Sequence, residues 1–415
     1  MNRRAFVHLD EHGVGELIER ADGVIEFRFD DTYLRLDDRP VLGQNFEDDL
    51  GKTYRGKRES QLPVFFANML PEGRLRSVLE RRGHIQERDD FGLLILLGRD
   101  LPGAATIVPA AAPTELHREH ASAGEEESSP LRFSLAGVQM KFSVVYDHEK
   151  LTLPAQSGAG NWIVKLHGPQ LPGLAQNEFS MMEWARAARF DVPECSLRPL
   201  SDLEGIPIDD IDPNSSAFVI RRYDRVAGGR VHQEDFAQVC GLAPAHKYDH
   251  LKYETLGVLI QSIIGDDGFD EYIRRVALMI ATGNDDAHLK NWSLQYQDRV
   301  HPTLSPVYDQ VFTGGWPRRQ TIVGTSRSRI VRPQLALNLL GTKHFAELDT
   351  KVFERLGARV ERASQAREIG RGALAELAAT WGAIGSELPM LDVQKDLLRS
   401  HWTTVPCLRE HGQLE

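Results

Sequence analysis

The chain has 415 residues, 41% hydrophobic and 26% charged, with a formal net charge of −11. That length and balance suit two or three domains with ordinary cores, and the acidity argues against nucleic-acid binding by the surface as a whole. No apolar run reaches the roughly 18–20 residues of a membrane span, the start MNRRAFVHLDEHG holds no apolar signal core, and Cys195, Cys240 and Cys407 are too scattered for a disulfide framework, so a cytoplasmic protein with no membrane partner is expected.

Residues 1–110 open with strand-like alternation in Phe6–Leu9, Gly13–Leu17 and Val24–Phe29, separated by turn residues such as Asp22-Gly23. Helical spacing follows in Pro63–Leu70 and Phe91–Leu97, so this block reads as a small β/α subdomain. Residues 111–130 are Ala- and Pro-rich, then acidic and Ser-rich, a composition that cannot support a core and reads as a flexible linker. Residues 131–230 are strand-rich (FSLAGVQMKFSVVYD, NWIVKLHG, AFVIRRYDR), with one helical stretch from Gln176 to Arg189. Residues 231–415 read as almost entirely helical. The expected fold class is α+β: a protein-kinase-like, two-lobed fold, with a β-rich first lobe, an all-α second lobe and an extra N-terminal β/α subdomain. The basic stretch Arg318–Arg329 reads as an exposed loop, a local patch that could touch DNA.

The chemistry concentrates in GNDDAHLKNWS, residues 283–293. Phosphoryl transfer needs a base for the acceptor hydroxyl, oxygen ligands for Mg²⁺ and a strand lysine for the phosphates. In the kinase pattern D-x-x-x-x-N the base and a metal-binding asparagine lie five positions apart. Asp286 and Asn291 have that spacing, whereas Asp285 does not. Asp309, in Ser305–Gln310, follows where a second metal carboxylate belongs, and hard oxygen ligands suit Mg²⁺. Asp285 and Asn284 read as turn formers. Lys290, between base and metal ligand, could steady the transferred phosphoryl charge. His288 stands in the same loop and is counted with the ATP-binding residues, although a lone histidine there is also read as packing inward. Lys165 sits in the apolar run WIVKL, where a charge needs a partner, and Glu178 on the following helix could supply it. The segment Ser134–Lys141 has a single glycine and fails as a G-x-G-x-x-G loop.

These segments resemble the HipA family of bacterial serine/threonine kinases, the toxins of type II toxin–antitoxin modules. SLAGVQMK, WIVKL, NEFSMMEWA, VIRRYDR, HQEDFAQ, GNDDAHLKN and VYDQ occur in the family's order, and FFANMLPEGRLR and GLLILLGRDLPGA look like its N-terminal part. The resemblance implies Asp286 as catalytic base, Asn291 and Asp309 on Mg²⁺, and Lys165 on the nucleotide phosphates. It places Arg221 to Tyr223 on the hinge beside adenine and Gln233 and Tyr308 in the nucleotide pocket. It makes Ser134, Ala136 and Gly137 part of the phosphate-binding loop, with Ser134 the autophosphorylated serine. Arg221 and Met140 depart from what the family's hinge and loop would be expected to carry. Added phosphate on Ser134 would repel the ATP phosphates and switch the loop out of the site.

The resemblance further implies ATP and Mg²⁺ as cofactors and a translation-related protein substrate, an aminoacyl-tRNA synthetase. It implies a small helix-turn-helix antitoxin as partner, with operator DNA reached through that complex. Alternatives are a kinase of the same fold acting on a small molecule, since fold does not fix substrate, or a catalytically silent co-repressor.

Overall fold

The computed structural model of the chain describes residues 3–57, 61–110, 140–147, 150–152, 160–168, 170–205, 211–212, 214–316, 318–321, 328–331 and 333–414. Ser134, Ala136, Gly137 and the 111–130 stretch lie outside the described residues.

The first block builds an antiparallel sheet from β1 (Arg4–Leu9), β2 (His12–Glu19), β3 (Ile25–Phe29), β4 (Tyr54–Arg55) and β5 (Ala105–Pro109), in the order β4-β3-β2-β1-β5. Alternation dictates one covered face: Ala5, Val7 and Leu9 of β1 are buried, while Arg4 and Phe6 between them are exposed. Under that face Phe27, Phe46, Phe65 and Phe66 meet edge-to-face or tilted, at centroid distances of 5.0 to 6.5 Å. The helix Asp90–Leu97 starts where the Asp89 carboxylate accepts the Gly92 N–H.

The second sheet has six strands in the order β10-β7-β6-β8-β11-β9, from β6 (Met140–Asp147), β7 (Lys150–Thr152), β8 (Trp162–Leu166), β9 (Cys195–Pro199), β10 (Leu203–Glu204) and β11 (Ser216–Arg221). The helix Leu174–Ala187 connects β8 to β9 and carries Trp184, which packs on Trp381 and Trp402 at 4.8 and 6.1 Å. A buried ring nitrogen normally finds a partner, and two of these three do, while Trp381 Nε1 has none among the described residues. Trp184 Nε1 donates to the Leu377 carbonyl and Trp402 Nε1 to the Ala281 carbonyl, each at 2.9 Å. This anchors the first lobe's helix to the helices Asp266–Thr282, Ala363–Ile384 and Asp392–Thr404 of the second lobe.

The second lobe is helix-dominated but not all-α. It contains a three-stranded sheet of His232–Asp235, Ser293–Tyr296 and Thr303–Leu304, and two hairpins. The strand Ser293–Tyr296 is buried at every position, so it lacks the period-two pattern that marks a strand in sequence. The basic stretch Arg318–Arg329, expected to be a loop, instead has its two ends in paired strands, Arg318–Thr321 with Ser328–Val331; residues 322–327 lie outside the described residues.

The N-terminal block sits on the second lobe through hydrogen bonds to backbone carbonyls. Val41 N–H donates to the Arg299 carbonyl at 2.9 Å, Gln238 Nε2 to the Phe65 carbonyl at 3.0 Å, and Asn68 Nδ2 to the Leu242 carbonyl at 2.9 Å. Among the described residues no helix is long and apolar enough to cross a membrane.

Candidate functional site

The turn at 283–291 begins at a helix end. Gly283 lies in the left-handed region (φ 57°). Its N–H and that of Asn284 reach the Ile280 and Met279 carbonyls at 3.2 and 3.1 Å, satisfying groups the helix leaves open. Asn284 then works in two directions. Its side-chain oxygen accepts the Asp286 N–H at 3.0 Å, and its Nδ2 donates to the Asp309 carbonyl at 3.1 Å. Asp285 donates its N–H to Thr313 Oγ1 at 3.0 Å, and that hydroxyl donates to the Gly283 carbonyl at 2.9 Å. The turn thereby separates two adjacent acids: Asp285 is buried and Asp286 is exposed.

The Asp286 carboxylate accepts the Tyr248 hydroxyl at 2.6 Å, and its backbone carbonyl accepts Asn291 Nδ2 at 2.8 Å. An asparagine whose nitrogen is committed in this way keeps its oxygen for another partner. His288 is buried with its ring edge against Tyr248 at 4.9 Å. Burial lowers its pKa to about 4, so it is neutral near pH 7. It packs inward and lies under the loop.

The opposite wall is a compact set of charges. Lys165 on β8 is buried, and its Nζ bonds both Glu178 of the Leu174–Ala187 helix and Asp309. Lys141 on β6 is the register partner of Lys165 and reaches Asp309 Oδ2 at 2.6 Å. Two lysines facing each other across a sheet repel unless an anion lies between them. Asp309 is that anion, and the lysine charges hold its carboxyl far below the usual range. Burial pushes Glu178 the other way, against the pull of Lys165. Asp309 has a left-handed φ of 53°, which Asp tolerates better than most residues, and Asn284 clamps its carbonyl. Asn284 therefore couples the Asp286 turn to the Lys165–Asp309 group.

Asn291 and Asp309 are the residues that could hold Mg²⁺. The donor chemistry fits: an ionised carboxylate and an amide oxygen are the hard ligands this ion takes, with phosphate oxygens and water supplying the rest.

Between the two lobes, Tyr223 stacks on Tyr308 with ring centroids 5.9 Å apart, and its hydroxyl donates to Gln233. Tyr308 Oη bonds Ser293 Oγ at 2.6 Å and the Lys290 carbonyl at 3.0 Å. A cavity of about 310 Å³ lies beside this segment, lined by Pro193, Glu194, Arg221, Tyr223 and Pro306 among others. Arg221 is exposed, its guanidinium 3.9 Å from Glu194.

Lys290 departs from its expected role. Its Nζ holds Glu72 Oε1 and the Asn68 carbonyl, each at 3.0 Å. Lys247 takes the other Glu72 oxygen at 2.8 Å. In this geometry the charge of Lys290 is committed to docking the N-terminal block.

Sequence reasoning left several contributors unassigned. Lys141, Tyr248, Thr313 and Glu72 lack a motif spacing. Asp224 is another: buried between Arg222 and Arg225, it accepts the Gly103 N–H at 2.7 Å and ties the N-terminal block to the segment that follows β11. The run RRYDR carries that signal, since two arginines around one aspartate in a buried strand end imply mutual pairing.

A β-rich lobe with a strand lysine paired to a helix glutamate, a helical lobe with an Asp-x-x-x-x-Asn turn, and a further aspartate between them define a kinase-like protein. The comparisons agree. Residues 5–108 match the model of the HipA N-terminal domain and residues 133–381 that of the HipA-like C-terminal domain. Y4dM of Sinorhizobium fredii, named as a candidate kinase, is 37% identical over 413 residues, 98% of each chain. A Shewanella oneidensis protein named serine/threonine-protein kinase toxin HipA is 24% identical over 285 residues, 61% of this chain and 63% of its own. HipA in the solved Shewanella oneidensis complex with HipB and operator DNA shares the fold, with a TM-score of 0.71 at 18% identity over 96% of this chain and 95% of its own. The chain belongs to the HipA family of kinases.

Proposed function

We propose that this chain is an ATP- and Mg²⁺-dependent protein serine/threonine kinase and the toxin of a type II toxin–antitoxin module. The observation that carries the reading is the pairing of Lys165 with both Glu178 and Asp309, facing a turn that exposes Asp286 and fastens Asn291 beneath it. Lys165 would bind nucleotide phosphates, with the phosphate-binding loop at Ser134, Ala136 and Gly137 closing over them. Arg221 to Tyr223, Gln233 and Tyr308 would frame the base. Mg²⁺, held by Asn291 and Asp309, would neutralise phosphate charge. Asp286 would accept the proton of the attacking serine hydroxyl, with Tyr248 fixing its carboxylate.

The family relationship supports a helix-turn-helix antitoxin as partner, with operator DNA contacted through that complex. It also supports a translation-related protein, such as an aminoacyl-tRNA synthetase, as substrate, and self-phosphorylation at Ser134.

The test is incubation with labelled ATP and Mg²⁺, alone and with cell lysate, followed by intact-mass measurement. The reading expects label on the chain itself at Ser134, absent from Ser134→Ala, and on a discrete lysate protein. Label confined to small molecules would replace the protein-kinase reading, and no turnover would remove it.

A further inference from the structure

We propose that His246, Asp249 and His250 form a divalent transition-metal site, with Zn²⁺ the ion it suits best. The site lies outside the Lys165–Asp309 group, on the loop that carries Tyr248.

Three ligand atoms converge there. His246 Nδ1 lies 3.0 Å from His250 Nε2 and 3.2 Å from Asp249 Oδ1, and His250 Nε2 lies 3.6 Å from the same oxygen. A tetrahedral Zn²⁺ with bonds of about 2.0–2.2 Å sets its ligands about 3.3–3.5 Å apart. The observed separations straddle that spacing, so the three atoms lie close enough together to share one ion.

Two imidazoles with one carboxylate are ligands Zn²⁺ favours. His250 has a left-handed φ of 67°, and its ring stands edge-on to that of His246 at 4.4 Å. Lys247, next in sequence to His246, turns its Nζ to Glu72. The side chains of His246, Asp249 and His250 are 31%, 61% and 54% exposed, which leaves an open face for a water and for exchange with solution. Both histidines also line a cavity of about 200 Å³ with Lys57 and Leu242.

The consequence rests on the reading of Asp286 as base. Residues 247 and 248 lie between the first ligand and the second, and they hold Glu72 and Asp286. A metal closing the loop fixes Tyr248 against the Asp286 carboxylate, so occupancy of this site would set how firmly the base is oriented.

The experiment is titration of the purified full chain with Co²⁺, read by visible absorption, then displacement with Zn²⁺. One equivalent should produce the bands of a four-coordinate ion without a thiolate charge-transfer band, and Zn²⁺ should displace it. His246→Ala and His250→Ala should each weaken binding by at least the about 10–100-fold that loss of an outer-shell partner costs. The more conservative His250→Gln guards against a folding artefact, and the metal-free thermal midpoints of all variants should match the parent. Asp309→Asn and Asp286→Asn should keep the bands, so loss of kinase activity and loss of this site are read separately. Absence of four-coordinate bands, bands unchanged in both histidine variants, or bands that disappear only in Asp309→Asn would overturn the proposal.

Discussion

The two walls of the site are built on opposite terms. On the Lys165 side Lys165 and Glu178 are buried, Asp309 is largely covered and Lys141 is partly exposed, and each charge is held by another: Glu178 and Asp309 on Lys165, Lys141 on Asp309. On the Asp286 side the carboxylate is exposed and is held by one tyrosine hydroxyl and by the turn beneath it. The difference matches the two tasks proposed for these walls. Binding a polyanion wants fixed, desolvated charge that does not reorganise. Accepting a proton from an arriving hydroxyl wants an oxygen that a second molecule can reach. It also means that the two walls should fail differently when altered.

The largest stability effect belongs to the buried wall. Lys165→Met leaves buried Glu178 without its cation and Asp309 with Lys141 alone, and breaking a buried pair from one side costs about 3–5 kcal/mol. Chemical denaturation should show a loss of that order, together with loss of ATP binding by calorimetry. A variant as stable as the parent would mean that the buried wall is not electrostatically closed.

A second buried acid offers a pH test away from both walls. Glu234 accepts the Gln44 N–H at 2.9 Å and the Tyr296 hydroxyl, tying the N-terminal block to the second lobe. Burial raises its pKa from 4.5 to about 8. A raised folded value means its stabilising contribution is complete below about pH 4.5 and is lost as pH rises through about 8. Thermal midpoints measured from pH 5 to 9 should therefore fall less steeply in Glu234→Gln than in the parent. Parallel curves would contradict this.

The smallest effect is expected at Glu72, whose side chain is 43% exposed. Glu72→Gln removes half-exposed pairs with Lys290 and Lys247, worth at most about 1 kcal/mol each and screened by salt. A slight drop in thermal midpoint with unchanged ATP affinity is expected. A large drop in ATP affinity would return Lys290 to the phosphate side.

Parts of this arrangement were legible in the sequence because their logic is local. The five-residue step from Asp286 to Asn291 is a property of one turn, and a lysine in WIVKL announces a charge in need of a partner. The early alternating strands were readable because one face is wet. What could not be read depends on long-range closure. Tyr248 meets Asp286 across 38 positions, Lys141 meets Asp309 across 168, and Lys290 meets Glu72 across 218. No spacing rule encodes such contacts. Lys290 looked catalytic because it sits between two site residues, yet its long side chain could turn either way, and the nearby N-terminal block supplied the anion. The strand Ser293–Tyr296 stayed hidden for the opposite reason: burial on both faces erased its alternation.

The measurement that tests the account most directly compares ATP affinity and phosphate transfer in Asp286→Asn. The exposed wall should leave Mg²⁺-ATP binding near that of the parent while turnover falls by roughly 10²–10⁴. Turnover close to the parent's, or a loss of ATP affinity as large as that of Lys165→Met, would contradict the division of labour between the two walls.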